Sequence, residues 1–182
     1  MIIIVMGVAG AGKTTVGTAL ASRLGWPFVD GDDLHPDANR EKIARDEPLD
    51  DTDRAPWLDA LGTLIADLDT RSGSAVVACS ALRQSYRDRL TACSPQLLWV
   101  YLRADPTLVR SRLAARRDHF ATPAILESQF AALEEPADVL RLDASRPADV
   151  LVASIVSAPD RQTASPPGQT AVKGKPSCFH RA

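Results

Sequence analysis

The residues with the clearest chemical potential lie near the start of the chain, directly after the apolar run Met1–Met6. They form the pattern G-x-x-x-x-G-K-T, and they are Gly7, Val8, Ala9, Gly10, Ala11, Gly12, Lys13, Thr14 and Thr15. Glycines let such a backbone curl so that successive N–H groups point at phosphate oxygens. Lys13 is expected to reach the β- and γ-phosphates, and the Thr14 hydroxyl is expected to ligate Mg²⁺. The pattern therefore predicts a site for a nucleoside triphosphate.

The context of this glycine-rich loop supports the prediction. A glycine-rich turn that matches the pattern by accident is the alternative, but the motif also requires a strand before it and a helix after it. Met1–Met6 is predicted to be a strand, and apolar residues recur every four positions between Lys13 and Leu24, as in a helix. The helix would add its positive N-terminal end to the phosphate site.

Two carboxylates, Asp30 and Asp32, follow the short predicted strand Pro27–Asp30. Residues two apart in a strand share a face, so both are expected at the carboxyl edge of the sheet, where ligands bind in open α/β sheets. One carboxylate would hold Mg²⁺ through water, and the other would accept a proton from an attacking hydroxyl. A pair of turn-forming aspartates is the alternative interpretation.

Ser80 follows the continuous apolar run Ala75–Cys79, which is typical of a strand buried on both faces. Many nucleotide-binding proteins with this loop carry an aspartate at the end of that strand, where it contacts Mg²⁺; here the position holds serine. The difference disfavours motor ATPases and GTPase switches, and it favours kinases of small metabolites, whose acidic residue lies on the second strand. A plain strand-end hydroxyl is the alternative for Ser80.

Arginines are concentrated near the end of a later predicted helix. Arg112 and Arg116 lie four residues apart and therefore on one face, and Arg117 to Phe120 follow directly. Phosphoryl transfer spreads negative charge over the γ-phosphate oxygens, so mobile positive charge is needed there. An arginine-rich helix end that leads into a short loop is how a closing lid supplies it. The alternative is an exposed basic helix end that the helix dipole favours.

His35, Lys42 and Arg54 lie in the polar segment after the second strand. Each of them alone is most simply explained as a solvated surface group. Together they form a cationic, hydrogen-bonding set that would suit an anionic, hydroxyl-rich acceptor.

Strands and helices alternate along the chain, and this alternation indicates the fold. Strands are predicted at Met1–Met6, Pro27–Asp30, Ala75–Cys79, Gln96–Leu102 and Val139–Leu142, and helices at about Lys13–Leu24, Pro36–Arg45, Asp53–Arg71, Asp105–Arg117, Pro123–Leu133 and Pro147–Val156. An α/β three-layer sandwich is expected, with a five-stranded parallel sheet covered by helices on both faces. The periodicity stops at Pro159, so residues 1–158 are predicted as one domain and residues 159–182 as a disordered tail.

Composition and charge exclude several other classes. The formal net charge of −2 argues against nucleic-acid binding, which needs a basic face. The three cysteines, Cys79, Cys93 and Cys178, have no metal-binding spacing and are expected to be reduced thiols. The initial apolar run is too short for a signal peptide and has no basic start, and no stretch is long and apolar enough to span a membrane. A cytoplasmic location is therefore expected.

Five blocks of the sequence together resemble the bacterial gluconokinases. They are G-V-A-G-A-G-K-T-T-V-G, L-G-W-P-F-V-D-G-D-D-L-H-P-D-A-N, E-P-L-D-D-T-D-R-A-P-W-L, C-S-A-L-R-Q-S-Y-R-D-R-L and A-R-R-D-H-F. The resemblance covers about residues 2–156, and the second and third blocks are its specific part. It implies the P-loop NTPase kinase fold, similar to shikimate and adenylate kinases. It also implies a homodimer and the ATP-dependent phosphorylation of D-gluconate at its 6-hydroxyl.

The resemblance further implies roles for residues on the nucleotide side. The loop from Gly7 to Thr15 would hold ATP and Mg²⁺, with Asp30 as the acid on the metal side. Arg112 matches a family position that lies near the adenine of ATP. The segment 143–147 resembles the loop on the adenine side, whose contacts would be mostly backbone.

On the acceptor side, the resemblance implies a sugar-acid pocket and a lid. The pocket residues are Asp32, which lies beside the acceptor hydroxyl, His35, Arg54 and Ser80. The lid covers about residues 116–123 and includes Arg116 and His119. Lys13, Asp32 and Arg116 would together carry the chemistry, with Asp32 as the base and the two cations offsetting negative charge in the transition state.

The chain departs from the family pattern in three places. The lid usually reads R-K-G-H-F, whereas here Asp118 replaces the glycine and brings negative charge near the phosphates. The connection from Glu135 to Val139 is shorter than usual, and the tail from Pro159 has no counterpart. Two other functions are compatible with the same residues. One is a kinase for another small acceptor, such as shikimate or a nucleotide, and the other is an ATP-responsive binding protein without turnover. A tail-based interaction module is a third.

Overall fold

The computed structural model describes residues 1–114 and 122–158. Its strands are β1 (Ile2–Met6), β2 (Phe28–Asp30), β3 (Ala75–Cys79), β4 (Leu97–Arg103) and β5 (Leu140–Asp143). Its helices are α1 (Lys13–Leu24), α2 (Asp37–Ala44), α3 (Asp51–Thr70), α4 (Gln84–Thr91), α5 (Pro106–Ala114), α6 (Pro123–Ala132) and α7 (Ala148–Val156), and a 3₁₀ helix covers Gly31–Leu34.

The strands form a single parallel sheet in the order β2-β3-β1-β4-β5. β1 lies at its centre, so that Ile2 pairs with Ala75 on one side and with Leu97 on the other. Every parallel neighbour needs a crossover connection, and helices supply these crossovers. The predicted five-stranded parallel sheet is confirmed, and it brings the loops after β1, β2 and β3 to one edge.

Side chains of β1 are buried on both faces of the sheet. Ile3 and Val5 pack into a cluster with residues of α1 and α7. Ile2, Ile4 and Met6 pack into a second cluster with residues of α3 and α4. Successive strand residues point to opposite faces, so an uninterrupted apolar strand requires helices on both sides. The predicted three-layer arrangement is confirmed.

The end of β2 differs from the prediction. Asp30 is the last strand residue, and Asp32 lies in the 3₁₀ helix that follows. The Asp30 carboxylate caps this helix by accepting a hydrogen bond from the Asp32 amide at 3.2 Å. The expectation that both carboxylates share one strand face is therefore wrong. The chain turns here because Asp30 satisfies the first free amide of the turn.

Helix α3 begins at Asp51, two residues before its predicted start. Asp50 and Asp53 form a capping box, in which the Asp53 amide donates to Asp50 at 2.8 Å and the Asp50 amide donates to Asp53 at 3.1 Å. Pro56 consequently lies inside the helix. The early start matters because it places the first residues of α3 beside the loops at the carboxyl edge of the sheet.

Helix α4 was not among the predicted elements, because only Tyr86 and Leu90 provide a buried apolar pair in its short sequence. Arg116, His119 and most of the predicted lid lie outside the described residues, as does the predicted tail 159–182. Across residues 1–114 and 122–158, no helix has both the length and the apolar character needed to cross a membrane.

Candidate active site

The glycine-rich loop joins β1 to α1 at the centre of the carboxyl edge. Gly10 and Gly12 have φ angles of 76° and 99°, which residues with a Cβ rarely adopt. Gly12 is also the residue that precedes the first turn of α1, and its carbonyl accepts the Val16 amide at 2.9 Å. The loop thus delivers its backbone amides to the N-terminus of a helix, which is a general site for phosphate.

Lys13 is buried against this loop, with 9% of its surface exposed. Its ammonium group donates to the Val8 carbonyl at 3.3 Å. The positive charge therefore lies over the concave side of the loop, next to the amides that would contact phosphate oxygens. One of these amides, that of Ala9, donates at 2.7 Å to the side-chain oxygen of Gln129 from α6.

Thr14 and Asp30 place two oxygen groups side by side. The Thr14 hydroxyl donates to the Asp30 carboxylate at 2.8 Å. Hydroxyl and carboxylate oxygens are the ligands that Mg²⁺ prefers, and Mg²⁺ in phosphate sites uses only one or two protein groups. These two oxygen groups, at the start of α1 and the end of β2, therefore fit Mg²⁺.

The turn after Asp30 is held tightly against the sheet. A Cβ on Gly31 would lie 2.5 Å from the Ala78 carbonyl oxygen of β3, so only glycine fits. The Gly31 carbonyl also accepts the indole N–H of Trp57 at 2.7 Å. These contacts fix the position of the next residue, Asp32.

A cavity of about 590 Å³ opens at this edge of the sheet. Of the residues singled out from the sequence, those that line it are Ala9, Gly10, Gly12, Lys13, Thr14, Thr15, Asp32, His35, Arg54 and Ser80. The structure therefore brings the phosphate loop, the second aspartate and the three proposed acceptor contacts into one space. Asp30 reaches the site through its bond to Thr14.

Lys42 has a different place from the one its sequence context suggested. Its ammonium group bonds both carboxylate oxygens of Asp53, at 2.6 and 2.8 Å. The hydrogen bond to Asp53 raises the pKa of Lys42, and the same bond lowers the pKa of Asp53. Among the described residues that line the cavity, Lys42 is absent. It stabilises the start of α3 instead of facing the cavity.

His35 is buried in the cavity wall, with 9% exposure. Its ring stacks on Trp57 with ring centroids 4.6 Å apart and an angle of 9° between the planes. Burial is the main cause that lowers the pKa of His35; Asp32 raises this pKa, and Arg54 and Arg40 lower it. The lowered pKa favours the neutral ring, which can donate or accept a hydrogen bond.

Arg83 and Tyr86 also line the cavity, although neither is among the residues predicted from the sequence. Arg83 donates to the Asp51 carboxylate at 2.6 Å, and the Tyr86 hydroxyl donates to the same carboxylate. Arg54 lies 3.9 Å from Asp51. The hydrogen bond from Tyr86 is the main cause that lowers the pKa of Asp51. Both residues belong to the block C-S-A-L-R-Q-S-Y, and the resemblance of this block to the gluconokinases was the sequence signal that could have identified them.

Arg87 secures the turn that carries Ser80. It is 3% exposed and donates to the carbonyls of Ala81 and Leu82, each at 2.9 Å, and of Glu134 at 2.8 Å. Ala81, directly after Ser80, has a left-handed φ of 39°. Such a conformation costs free energy in a residue with a side chain and persists only when its surroundings impose it. Arg87 also links this turn to the segment after α6.

Arg112 lies between the glycine-rich loop and the loop after β5. It donates to the carbonyls of Gly10 at 3.4 Å, Ala11 at 3.1 Å and Ala144 at 2.7 Å. The side chain therefore links the two backbone segments that the sequence assigns to the phosphates and to the adenine. Arg116 and His119, the other two predicted residues of this region, lie outside the described residues.

Comparisons with known proteins agree with this arrangement. Residues 2–136 match the family model described as an AAA domain. The chain is 42% identical over 159 residues to the thermoresistant gluconokinase of Escherichia coli (strain K12), covering 85% of this chain and 91% of that protein.

Two solved structures are similar to this chain in both fold and sequence. An unliganded sugar kinase from Janibacter sp. HTCC2649 has a TM-score of 0.80 at 32% identity, over 85% of this chain and 91% of the other. A gluconokinase from Sinorhizobium meliloti 1021 has a TM-score of 0.75 at 39% identity, over 83% and 86% of the two chains. The identities and the coverage show the family, and the fold is that of the P-loop kinases. The chain belongs to the gluconokinase family.

Proposed function

We propose that the protein is a gluconokinase that transfers the γ-phosphoryl group of ATP to the 6-hydroxyl of D-gluconate and releases ADP and 6-phospho-D-gluconate. The observation that carries the proposal is one cavity that holds the phosphate loop, the Asp32 carboxylate and a set of cationic and hydrogen-bonding side chains. Relatives named gluconokinase, 40–42% identical, support the choice of acceptor.

Asp32 is the residue best placed to act as the general base. It lines the cavity together with Lys13, and its backbone is held by the cap from Asp30. Its carboxylate would orient the 6-hydroxyl of D-gluconate and accept its proton, while the hydroxyl oxygen attacks the γ-phosphorus in line and the bond to the bridging oxygen of ADP breaks.

Cationic groups offset the charge that develops during this transfer. Lys13 would contact the β- and γ-phosphate oxygens, and Arg116 of the lid would contact the γ-phosphoryl group. Thr14 and Asp30 would hold Mg²⁺, which supplies positive charge to the phosphate oxygens when it is bound. Arg112 would support the nucleotide by holding the two loops that flank it. Closure of the lid, with His119, would exclude water and prevent hydrolysis of ATP.

The acceptor has a carboxylate at one end and hydroxyls along its length, and the cavity offers matching groups. Arg40, Arg54 and Arg83 supply positive charge for the carboxylate, and bidentate arginine contacts are favoured there. His35 and Ser80 supply hydrogen bonds for the hydroxyls.

The proposal also includes a homodimer in the cytoplasm. Light scattering of the purified protein would test the homodimer, which should show twice the mass of one chain.

A coupled assay of ADP release tests the function directly. With ATP and Mg²⁺ present, ADP release is expected to rise strongly with D-gluconate and to stay at the background rate with shikimate or without an acceptor. Mass spectrometry of the product should show one added phosphoryl group. Equal rates with and without D-gluconate would refute the choice of acceptor, while ATP binding measured separately would still test the nucleotide site.

A further inference from the structure

His35 is held by two side chains that no part of the proposed reaction uses. Trp57 stacks on one face of its ring at 4.6 Å, and the side-chain nitrogen of Asn39 lies 3.2 Å from its Nδ1 atom. Asn39 is 4% exposed. A buried polar side chain that contacts one ring nitrogen of a histidine can decide which of the two ring nitrogens carries the proton.

The orientation of the Asn39 side chain is decided by a second contact. Its nitrogen lies 2.7 Å from the Asp53 carbonyl oxygen. A carbonyl oxygen only accepts hydrogen bonds, so the NH₂ group of Asn39, rather than its oxygen, must face Asp53. This group has two N–H bonds. One is directed to Asp53, and the other is available for His35.

The backbone position of Asp53 is itself well determined. Its carboxylate accepts from Lys42 at 2.6 Å and from the Asp50 amide at 3.1 Å, within the capping box of α3. The carbonyl that orients Asn39 therefore belongs to a helix start that is held by several bonds.

The protonation of the His35 ring follows from this geometry. An Nδ1 atom that receives an N–H must carry a lone pair, so the single proton of the neutral ring lies on Nε2. A ring protonated on both nitrogens would direct an N–H at the NH₂ group of Asn39, which is repulsive. The lowered pKa of the buried His35 acts in the same direction.

We propose that Asn39 is a positioning residue that holds His35 in the neutral form with its proton on Nε2, so that His35 donates a hydrogen bond to a hydroxyl of the acceptor. The inference rests on the proposed function, since His35 lines the cavity assigned to D-gluconate. Asp32 only accepts hydrogen bonds, whereas His35 in this form offers an N–H. One residue thus accepts and the other donates a hydrogen bond, which suits hydroxyl groups because each can do both.

Nitrogen-15 NMR of the ring nitrogens tests the first half of the proposal without any substrate. The chain has three histidines, and His35→Gln identifies the His35 signals by their loss. The wild-type ring is expected to show a protonated Nε2 and an unprotonated Nδ1. Asn39→Asp has nearly the same shape and replaces the N–H donors by acceptors, so the Nδ1 atom should become protonated. Glu41→Gln, an exposed change on the same helix, should leave both signals unaltered.

Kinetics test the second half. At a pH where the NMR signals show a single proton on the His35 ring of the variant, Asn39→Asp should raise the KM for D-gluconate by about three- to tenfold, the value of one hydrogen bond, and leave the KM for ATP unchanged. In a His35→Phe background the change at Asn39 should have no further effect on this KM, because phenylalanine makes no hydrogen bond to the acceptor whatever residue faces it. Asn39→Ala serves as a second variant if Asn39→Asp lowers Tm, and its ring signals should show a mixture of both neutral forms.

Two results would overturn the inference. One is a protonated Nδ1 in the wild-type ring. The other is an equal rise in KM for the Asn39 variants with and without His35, which a purely structural role would produce. Wild-type protein that shows no activity with D-gluconate would instead refute the proposed function, and the NMR measurement would still decide whether Asn39 sets the protonation of His35.

Discussion

Replacing Arg87 by methionine tests whether one buried guanidinium maintains the turn that carries Ser80. Methionine fills a similar volume but makes none of the hydrogen bonds to Ala81, Leu82 and Glu134. The left-handed conformation at Ala81 then loses the contacts that hold it. We expect the variant to lose both stability and affinity for the acceptor, since Ser80 precedes this residue.

The size of the effect follows from the contacts. The variant leaves three backbone carbonyls without their charged donor, and each such bond contributes about 1.5–3 kcal/mol. Burial removes water from the charged side chain of Arg87 and lowers its pKa, so removing the charge recovers part of the cost of desolvation. The expected net loss is about 3 kcal/mol of the free energy of unfolding, against a typical total of about 5–15 kcal/mol.

Urea denaturation measures the stability, and the KM for D-gluconate at saturating ATP measures the position of Ser80. Arg89→Met is the matched control on the same helix, because Arg89 forms a half-exposed ion pair with Asp59. Such pairs contribute about 0–1 kcal/mol. A loss of less than about 1 kcal/mol in Arg87→Met, equal to that of the control, would refute the argument that Arg87 maintains the turn.

Four other changes test the proposed site. Lys13→Ala should lower kcat by about 100-fold or more without changing Tm, because transition-state charge loses its counter-charge; near-normal turnover would exclude the phosphate-loop assignment. Asp32→Asn should lower kcat by about 10²–10⁴-fold while ATP binding, measured by calorimetry, changes little; unchanged kcat would rule out Asp32 as the base. Gln129→Ala should tighten ATP binding by about fivefold, because it frees the Ala9 amide that Gln129 now occupies; weaker binding would mean that Gln129 contacts the nucleotide. Deletion of residues 160–182 should change neither kcat nor Tm, and a clear loss of either would contradict the prediction of a disordered tail.

The parts of the fold that were predictable are those with strong local patterns. The uninterrupted apolar strands required burial on both faces, and the helix from Lys13 to Leu24 has the predicted bounds. The start of α3 was misplaced by two residues because the capping box of Asp50 and Asp53 was not recognised. Helix α4 was missed because its eight residues are mostly polar and only Tyr86 and Leu90 are buried apolar side chains.

The candidate site residues were also named from the sequence, and the structure brings several of them into one cavity. The pattern from Gly7 to Thr14 is a strong signal for a phosphate site, because glycines at that spacing let the backbone amides surround phosphate oxygens and the lysine can reach them. Asp32, His35 and Ser80 belong to blocks of the chain that follow β2 and β3, and parallel strands bring those blocks to one edge. The sequence therefore predicted a nucleotide site and, through its resemblance to the gluconokinases, the class of acceptor.

Only the tertiary structure decided how these residues are held. It placed Asp32 in a 3₁₀ helix rather than on a strand, and it paired Lys42 with Asp53 rather than with the cavity. It also set Asn39 behind His35 and Arg87 behind the turn of Ser80. The physical reason is that hydrogen-bond partners are chosen by distance in space. Side chains from separate elements compete for the same carbonyls and carboxylates, and a linear pattern does not record which of them arrives close enough to bond.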